Sequence, residues 1–231
     1  MLDTGVGAHS LSAPRDSPTD ASPPMSTQTL NFTGADDSEE LARAELYGLL
    51  ARLWLAPPDA ALREQFDVAA TQAPQPGAFL EAPWQTLVAA MRTATPQQAA
   101  EEYDALFLGV GKPEVFLYGS FYLTGFLNEK PLAHLRTDLA ALGLARAEQR
   151  GETEDHIAAL CEVMRYLIAG DDVSVSNLEQ QRRFFRAHLQ PWVEKLCDAL
   201  DLQPRAQVYR ALAGFTRAFV QVEVQGFDLL A

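Results

Sequence analysis

The sequence predicts an all-α protein, built as a single helical-bundle-like domain of about nine or ten helices. Apolar residues recur at i, i+3 and i+4 from residue 38 onward, which is the spacing of a helix with one buried face. No segment shows a convincing strand alternation, and Pro and Gly stand where helices are expected to begin and end. At 231 residues and 48% hydrophobic, the chain can bury a core of this size.

Residues 1–37 are predicted to be a disordered N-terminal tail, and residues 38–231 the helical domain. The tail is rich in Ser, Thr, Pro and Gly, which cannot bury enough apolar surface to fold. It carries a single basic residue, Arg15, and no apolar run, so we do not expect a secretory signal peptide. Met25 lies within the tail and is an alternative start of the natural chain.

The sequence pattern predicts five helices in the first half of the domain. The first covers residues 38–56 and is stopped by Pro57 and Pro58, and the second carries Leu62 and Phe66. After a Pro/Gly-rich loop at 71–83, a short helix is expected to bury Trp84, Leu87, Val88 and Met91. Thr95 is the expected N-cap of the fourth helix, with Pro96 at its first position, and this helix ends at Gly109. A fifth covers 131–142, where Gly143 is the expected C-terminal glycine.

A polar stretch then predicts a hinge near residues 145–153, followed by further helices. Thr153 is the expected N-cap of a helix that buries Ile157, Leu160, Cys161, Met164 and Leu167. Ser176 and Glu179 form the pattern of a capping box. Pro191 is expected to start the next helix, and the last helix follows Pro204.

The net charge of −13 argues against a nucleic-acid partner, because phosphate binding needs a basic surface. It is compatible with a cationic partner. Two cysteines, Cys161 and Cys197, form no disulfide framework and fit a reducing cytoplasm. No apolar run approaches the roughly 18 residues that a membrane span requires, so no stable membrane insertion is expected.

Common catalytic and metal motifs are missing from the sequence. The histidines, His9, His134, His156 and His188, occur in neither HExxH nor Glu-x-x-His, and there is no CxxC. The loop at 109–112 is not a phosphate loop, because Leu106 and Pro113 stand where glycine and Ser or Thr are required. We therefore expect no enzyme activity, no metal and no cofactor. An enzyme that uses His156 is the weakest of the alternatives.

Two segments stand apart from an ordinary helical pattern. The first, residues 102–125, breaks a helix with a glycine loop and resumes with clustered aromatics. Its Leu106 and Phe107 are expected in the core. Tyr118, Ser120 and Tyr122 alternate, and either form part of a hydrophobic plug or line a groove for an extended peptide.

The second segment, residues 151–168, places Glu154, Asp155 and His156 at the mouth of an apolar helix. In the first helical turn both carboxylates would be stabilised by the helix dipole, and this could account for them completely. Alternatively they accept bidentate hydrogen bonds from arginine side chains of a ligand.

Together the two segments resemble the signature regions of the TorD/DmsD/NarJ family of molybdoenzyme-specific chaperones, the redox-enzyme maturation proteins. The first family region reads roughly Tyr-x-x-Leu-Phe-x-Gly and then aromatic-x-Ser-x-Tyr, matched here by 103–109 and 118–122. The second is an acidic residue or Pro followed by Asp-His, matched by 154–156. Leu117 departs from the Pro that the family commonly has before the aromatic.

The resemblance implies a cytoplasmic chaperone that binds the twin-arginine signal peptide, or the N-terminus, of a molybdopterin oxidoreductase catalytic subunit. It would assist cofactor insertion into that apo subunit before export, as a monomer or a domain-exchanged dimer. The implied peptide-binding residues are Tyr118, Ser120, Tyr122, Glu154, Asp155 and His156, with Phe116, Phe121 and Phe126 lining a groove for the apolar part of the leader. The alternative is an interaction or regulatory adaptor that binds a partner helix in a hydrophobic groove.

Overall fold

The computed structural model describes residues 35–72, 78, 80–109, 111–146 and 151–229, and they are almost entirely helical. The elements of this part of the chain are α1 (Ala35–Leu55), α2 (Ala60–Val68), α3 (Glu81–Thr93), α4 (Pro96–Tyr103), a π turn (Asp104–Leu108), α5 (Gly119–Thr124), α6 (Lys130–Ala141), α7 (Ile157–Ala169), α8 (Leu178–His188), α9 (Val193–Asp201) and α10 (Val208–Leu229).

The all-α prediction is confirmed over these residues, where the only β pairing is an isolated bridge between Tyr118 and His156. The first helix begins slightly before its predicted start, so residues 35–37 of the predicted tail belong to α1. The rest of the tail, and residues 147–150 of the predicted hinge, lie outside the described residues. None of the helices in the described ranges has the length and hydropathy that a membrane crossing requires.

Local capping signals were predicted correctly where the cap depends on neighbours in sequence. Thr95 and Gln98 form a complete capping box at the start of α4. Gly109 ends the π turn with a positive φ of 32°, and adding a Cβ there would bring it to 2.6 Å from the Lys112 carbonyl oxygen. That close approach explains why glycine is needed at this break.

Four predicted helix starts were wrong. The N-cap of α7 is His156 rather than Thr153, whose hydroxyl instead donates to Asp155. The N-cap of α8 is Asn177 rather than Ser176. The Ser176 hydroxyl instead donates a hydrogen bond to the Tyr166 carbonyl. Helix α3 already begins at Glu81, inside the predicted loop at 71–83, and α9 begins at Val193, two positions after the predicted Pro191.

The core lies between α1 and α7 and between α10 and α3, the most closely associated helix pairs. An aromatic cluster joins these layers, with Tyr103, Phe107 and Tyr209 in mutual contact at ring centroid separations of 5.0–5.5 Å. Phe107 and its neighbour Leu106 are buried, as the sequence predicted. Edge-to-face aromatic pairs add to the stability that burial alone provides.

One buried ion pair connects α1 to α10. Glu223 is 4% exposed and accepts two hydrogen bonds from the Arg43 guanidinium, at 2.8 Å each, and one from the Tyr47 hydroxyl at 2.9 Å. The bidentate geometry satisfies both carboxylate oxygens, which is the condition for burying such a pair. Helix α10 is thereby fixed in register against α1.

The N-terminus of α10 is capped from a distant part of the chain. The Glu102 carboxylate at the end of α4 accepts hydrogen bonds from the backbone N–H groups of Gln207, Val208 and Tyr209, at 2.7, 3.1 and 2.9 Å. These N–H groups have no carbonyl partner within the helix, and a negative charge at this end is also favoured by the helix dipole.

We therefore predict that Glu102→Ala lowers the unfolding free energy by about 1–2 kcal/mol, since it removes the cap and its charge together. The measurement is chemical denaturation followed by circular dichroism. The adjacent Glu101 is exposed and contacts only Gln97, so Glu101→Ala serves as the matched control and should change stability by less than about 0.5 kcal/mol. Equal effects of the two substitutions would contradict the role assigned to Glu102.

Candidate functional site

The two segments that the sequence singled out meet in the structure. The backbone N–H of Gly119 donates to the Asp155 carbonyl at 2.9 Å, and that of Ile157 donates to the Leu117 carbonyl at 2.9 Å. Tyr118 and His156 form the antiparallel bridge between these bonds. We call residues 117–120 together with 153–157 the junction.

The Asp155 carboxylate binds both strands of the junction. One oxygen accepts from the Ser120 backbone N–H at 2.9 Å, and the other accepts from the Thr153 hydroxyl at 2.7 Å. The side chain is 4% exposed. Because both oxygens are occupied within the chain, Asp155 fixes the entry of α5 beside the entry of α7.

His156 is the N-cap of α7 and is also buried, at 3% exposure. Its Nδ1 accepts a hydrogen bond from the Ala158 backbone N–H at 3.1 Å, and its ring lies edge-to-face with Tyr118 at 5.2 Å. Burial lowers the pKa of His156 to about 4, against the opposing influence of Glu152 and Asp155. The ring is therefore neutral at pH 7.

Glu154 and Asp155 precede the N-cap, so the prediction that they belong to the first helical turn was wrong. Glu154 is paired with Arg136 of α6, with its Oε2 2.9 Å from Nη2. Partial burial opposes ionisation, but the Arg136 hydrogen bond, a backbone hydrogen bond and the charges of Arg136 and Arg146 together outweigh it and lower the pKa of Glu154. Nearby, the Tyr118 hydroxyl donates to the Glu152 carboxylate.

The aromatic side chains of the first segment serve mainly its own structure. Residues 119–124 form the short helix α5, so Tyr118, Ser120 and Tyr122 do not share one face as an extended strand would have arranged them. Tyr122 stacks on Trp192 at 5.6 Å, and its hydroxyl donates to the Phe116 carbonyl at 2.8 Å.

The predicted groove-lining phenylalanines differ in exposure. Phe116 and Phe121 stack on each other with centroids 4.0 Å apart, whereas Phe126 is 69% exposed. Ser120 is buried, and its hydroxyl has no hydrogen-bond partner in the described part of the chain.

Two grooves open on either side of the junction. The first, of about 440 Å³, combines apolar walls with carboxylates, and we call it the acidic groove; its lining includes Leu55, Leu139, Leu144, Val163 and Tyr166 together with Glu152, Glu154, Glu162, Arg52, Arg146 and His156. The second, of about 590 Å³, we call the histidine groove; its lining includes Ser120, Leu123, His134, Leu135, Asp138, Asp155, Leu160, His188 and Trp192.

The predicted peptide-binding and groove-lining residues are distributed between the two grooves and the surface outside them. Glu154 and His156 line the acidic groove, and Ser120 and Asp155 line the histidine groove. The remaining five, Tyr118, Tyr122, Phe116, Phe121 and Phe126, line neither of these two grooves. Residues 154 and 155 lie in a turn closed by the hydrogen bond from the His156 backbone N–H to the Thr153 carbonyl at 3.1 Å, and this turn directs neighbouring side chains to different grooves.

Sequence reasoning missed several groove residues. Glu162, Val163 and Tyr166 lie on the outer face of α7, where their helical spacing from Ala159 was an available signal. His134 and Asp138 share one face of α6 at i, i+4, and Asp138 bonds His188 of α8 at 2.8 Å. That last contact joins distant segments and has no local signature.

The described residues offer no other obvious chemistry. They contain no cluster of three or more His, Cys, Asp or Glu side chains that could hold a metal ion. Burial raises the pKa of Cys197 to about 12 and also raises that of Cys161. Both thiols are therefore protonated at neutral pH and behave as small apolar side chains.

We predict that Asp155→Ala destabilises the protein by about 2–3 kcal/mol, because it leaves the buried Ser120 N–H unpaired. Asp155→Asn retains an acceptor for that N–H, while the Thr153 hydroxyl can turn to donate elsewhere, so its effect should be about 1 kcal/mol. Urea denaturation measures both values. If alanine and asparagine are tolerated equally well, the carboxylate does not hold the junction together.

His156 also predicts a pH dependence of stability. Its pKa is about 4 in the folded protein and 6.5 ordinarily, so the unfolded chain binds more protons between these values. The unfolding free energy should therefore fall by about 1.4 kcal/mol per pH unit as pH drops from 6.5 towards 4.

The non-titrating reference for this measurement is His156→Asn, which keeps a side-chain acceptor at the N-cap. The difference in unfolding free energy between the two proteins should show the slope, because other titrating groups contribute to both. A difference that stays flat over this pH range would mean that the ring is not buried in its neutral form.

Comparison with known proteins supplies relatives and a structural match. Chaperone protein TorD of Vibrio cholerae is 27% identical over 140 residues, which is 58% of this chain and 64% of the relative. Chaperone protein TorD of Photobacterium profundum is 24% identical over 134 residues, 54% of this chain and 62% of the relative. The chain thus covers less than two thirds of the length of these relatives.

A crystal structure from Archaeoglobus fulgidus, described as a candidate redox enzyme maturation protein, matches with a TM-score of 0.51 and 17% identity, over 85% of this chain and 99% of that chain. This likeness shows a shared fold. The profile of the family described as nitrate reductase delta subunit matches residues 74–198. Because that match spans more than half of the chain and includes both segments of the junction, the chain belongs to the nitrate reductase delta subunit family, the TorD/NarJ family that its motifs resemble.

Proposed function

We propose that this protein is a cytoplasmic chaperone that binds the twin-arginine leader, or the N-terminus, of a molybdenum oxidoreductase catalytic subunit and assists cofactor insertion before export. The observation that carries the proposal is the acidic groove, which combines apolar walls and carboxylates beside His156. Family membership and relatives named as chaperones support it. The proposed role needs no catalytic residue.

The chemistry of the acidic groove matches the two parts of such a leader. The leader carries consecutive arginines followed by an apolar segment, and the groove offers both kinds of contact. Of its two arginines, Arg52 is directed towards Asp59, at 3.9 Å, and Arg146 towards the Glu152 backbone carbonyl, at 3.4 Å. Within the described residues, the carboxylates of the groove are paired with arginine only at Glu154, by Arg136 at 2.9 Å, and at Glu162, by Arg165 at 3.4 Å.

Glu152 and Glu162 are the carboxylates best placed to receive arginine. Glu152 is exposed, and its hydrogen bond from Tyr118 leaves lone pairs free. The side chain of Glu162 is 48% exposed and has only a long contact, 3.4 Å, to Arg165. A ligand guanidinium could bind Glu154 as well, but it would first have to displace Arg136.

The energetics favour a shared role for charge and apolar contact. One arginine–carboxylate attraction near a surface is about 4 kcal/mol at 4 Å before desolvation, and net gains of exposed pairs are about 0.2–1 kcal/mol. Apolar burial at about 25 cal/mol per Å² must supply the remainder. The walls formed by Leu139, Val163 and Tyr166 are suited to this, and the exposed Phe126 is a further candidate contact for the apolar part of the leader.

The junction residues of the proposed site position the side chains that line the acidic groove. Tyr118 orients Glu152, and Asp155 with Ser120 fixes the backbone that presents Glu154 and His156. Tyr122, packed on Trp192, holds α5 in place, and Phe116 and Phe121 support the same turn. In this proposal their substitution weakens peptide binding indirectly, through the position of the junction.

The test is isothermal titration of the purified protein with a synthetic leader peptide that contains two consecutive arginines and an apolar segment. We expect the double variant Glu152→Gln with Glu162→Gln to bind about 3- to 10-fold more weakly, because it removes both open carboxylates. Glu64→Gln on α2, an exposed site outside both grooves, is the matched control and should bind like the wild type. Raising the salt concentration should weaken the wild type more than the double variant.

Absence of binding to every candidate leader would refute the proposed function. Binding that is tight but insensitive to salt and to the two substitutions would favour the alternative, an adaptor that docks a partner helix through apolar contacts alone.

A further inference from the structure

We infer that His156 recognises the bound peptide as a neutral hydrogen-bond donor, with its Nε2–H directed to a carbonyl oxygen of the peptide in the acidic groove. The inference rests on the proposed function and assigns this residue a chemical role different from that of the carboxylates around it. The sequence predicts Glu154 and Asp155 as receptors for arginine and His156 only as a peptide-binding residue.

The helix cap determines which nitrogen of the ring carries the proton. The Ala158 backbone N–H can only donate, and it lies 3.1 Å from Nδ1 of His156. Nδ1 must therefore present its lone pair, and a neutral imidazole with an unprotonated Nδ1 carries its hydrogen on Nε2. The fold thus selects the tautomer before any ligand binds.

This Nε2–H has no protein partner within the described part of the chain. The polar side-chain atoms that are both sealed from solvent and unpaired in these residues are Arg63 Nη1, Ser120 Oγ and Tyr209 Oη. Nε2 is unpaired but is not among them, so it keeps access to solvent although the residue is only 3% exposed. His156 is among the residues that line the acidic groove, and we therefore place the donor on that side.

The charged groups around the ring leave it neutral and leave its Nε2–H without a partner in the described residues. Glu152 and Asp155 are the carboxylates that favour a protonated ring, and burial outweighs them. Neither carboxylate is hydrogen-bonded to the ring, because Asp155 accepts from Ser120 and Thr153 and Glu152 accepts from Tyr118. The other charged side chains of the same groove, Glu154, Glu162, Arg52 and Arg146, are not in hydrogen-bond contact with the ring.

Because Nε2–H of His156 is a hydrogen-bond donor, it can bind only an acceptor atom of the ligand. An arginine side chain has only donors and cannot pair with Nε2–H, whereas a backbone or amide carbonyl oxygen can. The groove therefore separates two tasks. The carboxylates bind the arginines of the leader. His156 donates a hydrogen bond to a carbonyl oxygen of the same peptide and thereby fixes the register of the peptide along the groove.

The first test observes the ring directly in the full chain. Long-range ¹H–¹⁵N correlation spectra of ¹⁵N-labelled protein at pH 7 should show His156 as the neutral Nε2–H tautomer, and its Nε2 resonance should move when the synthetic twin-arginine peptide is added. A protonated ring or the Nδ1–H tautomer overturns the inference and leaves the proposed function standing. An Nε2 resonance that does not respond to bound peptide also overturns it.

Two substitutions distinguish the role of Nδ1 as the cap of α7 from the role of Nε2–H as a donor to the peptide. Asparagine places an acceptor near the position of Nδ1 but does not reach that of Nε2, and glutamine places an amide N–H near Nε2 but is a poor cap. His156→Asn should therefore keep the cap of α7, losing stability only through the missing ring, and bind the peptide about 3- to 10-fold more weakly. His156→Gln should be less stable but bind more tightly than the asparagine variant at a temperature where both are folded.

Both substitutions remove the edge-to-face contact with Tyr118, so loss of the aromatic ring cannot explain a difference between them. If the asparagine variant binds as tightly as wild type, or the glutamine variant binds no better than asparagine, the donor role is wrong while leader binding stands. If the wild type binds no leader peptide, the proposed function and this inference fail together.

Discussion

Both grooves depend on one buried carboxylate, that of Asp155. It forms no ion pair within the described part of the chain and is held instead by the Ser120 N–H and the Thr153 hydroxyl. Burying a carboxylate is tolerated only when its oxygens are satisfied by donors. That requirement brings two segments about thirty residues apart into a fixed geometry.

The fixed geometry determines what each side of the junction can bind. The turn at residues 153–156 sends neighbouring side chains to different sides, so Asp155 faces one groove while Glu154 and His156 face the other. Within the acidic groove, Arg136 neutralises Glu154 and burial keeps His156 uncharged. The open negative charge therefore lies at Glu152 and Glu162, outside the motif that attracted attention in the sequence.

The sequence was a reliable guide wherever structure follows from neighbouring residues. Helical periodicity located the helices other than α5, and Thr95 with Pro96 located the start of α4, where the cap is decided within four residues. The buried positions of Leu106 and Phe107 followed from the same periodicity.

The failures have a common physical origin in long-range contacts. His156 replaces Thr153 as the cap of α7 because the bridge to Tyr118 sets where the chain can turn into a helix. One of the two alternatives had Tyr118, Ser120 and Tyr122 line a single groove, but the junction starts a helix at Gly119 and separates them. The grooves join helices far apart in sequence, so only their individual faces were visible beforehand.

The cap that Glu102 provides for α10 has a consequence for the order in which the chain is assembled. The carboxylate and the first backbone N–H that it binds are separated by 105 residues, so during synthesis the acceptor is made long before its donors. Helix α10 also lies outside the region matched by the family profile, although it packs against α3 and α9 within that region. A nascent chain synthesised only as far as α9 would therefore carry an incomplete domain with an apolar face on α3, and synthesis of α10 would close it.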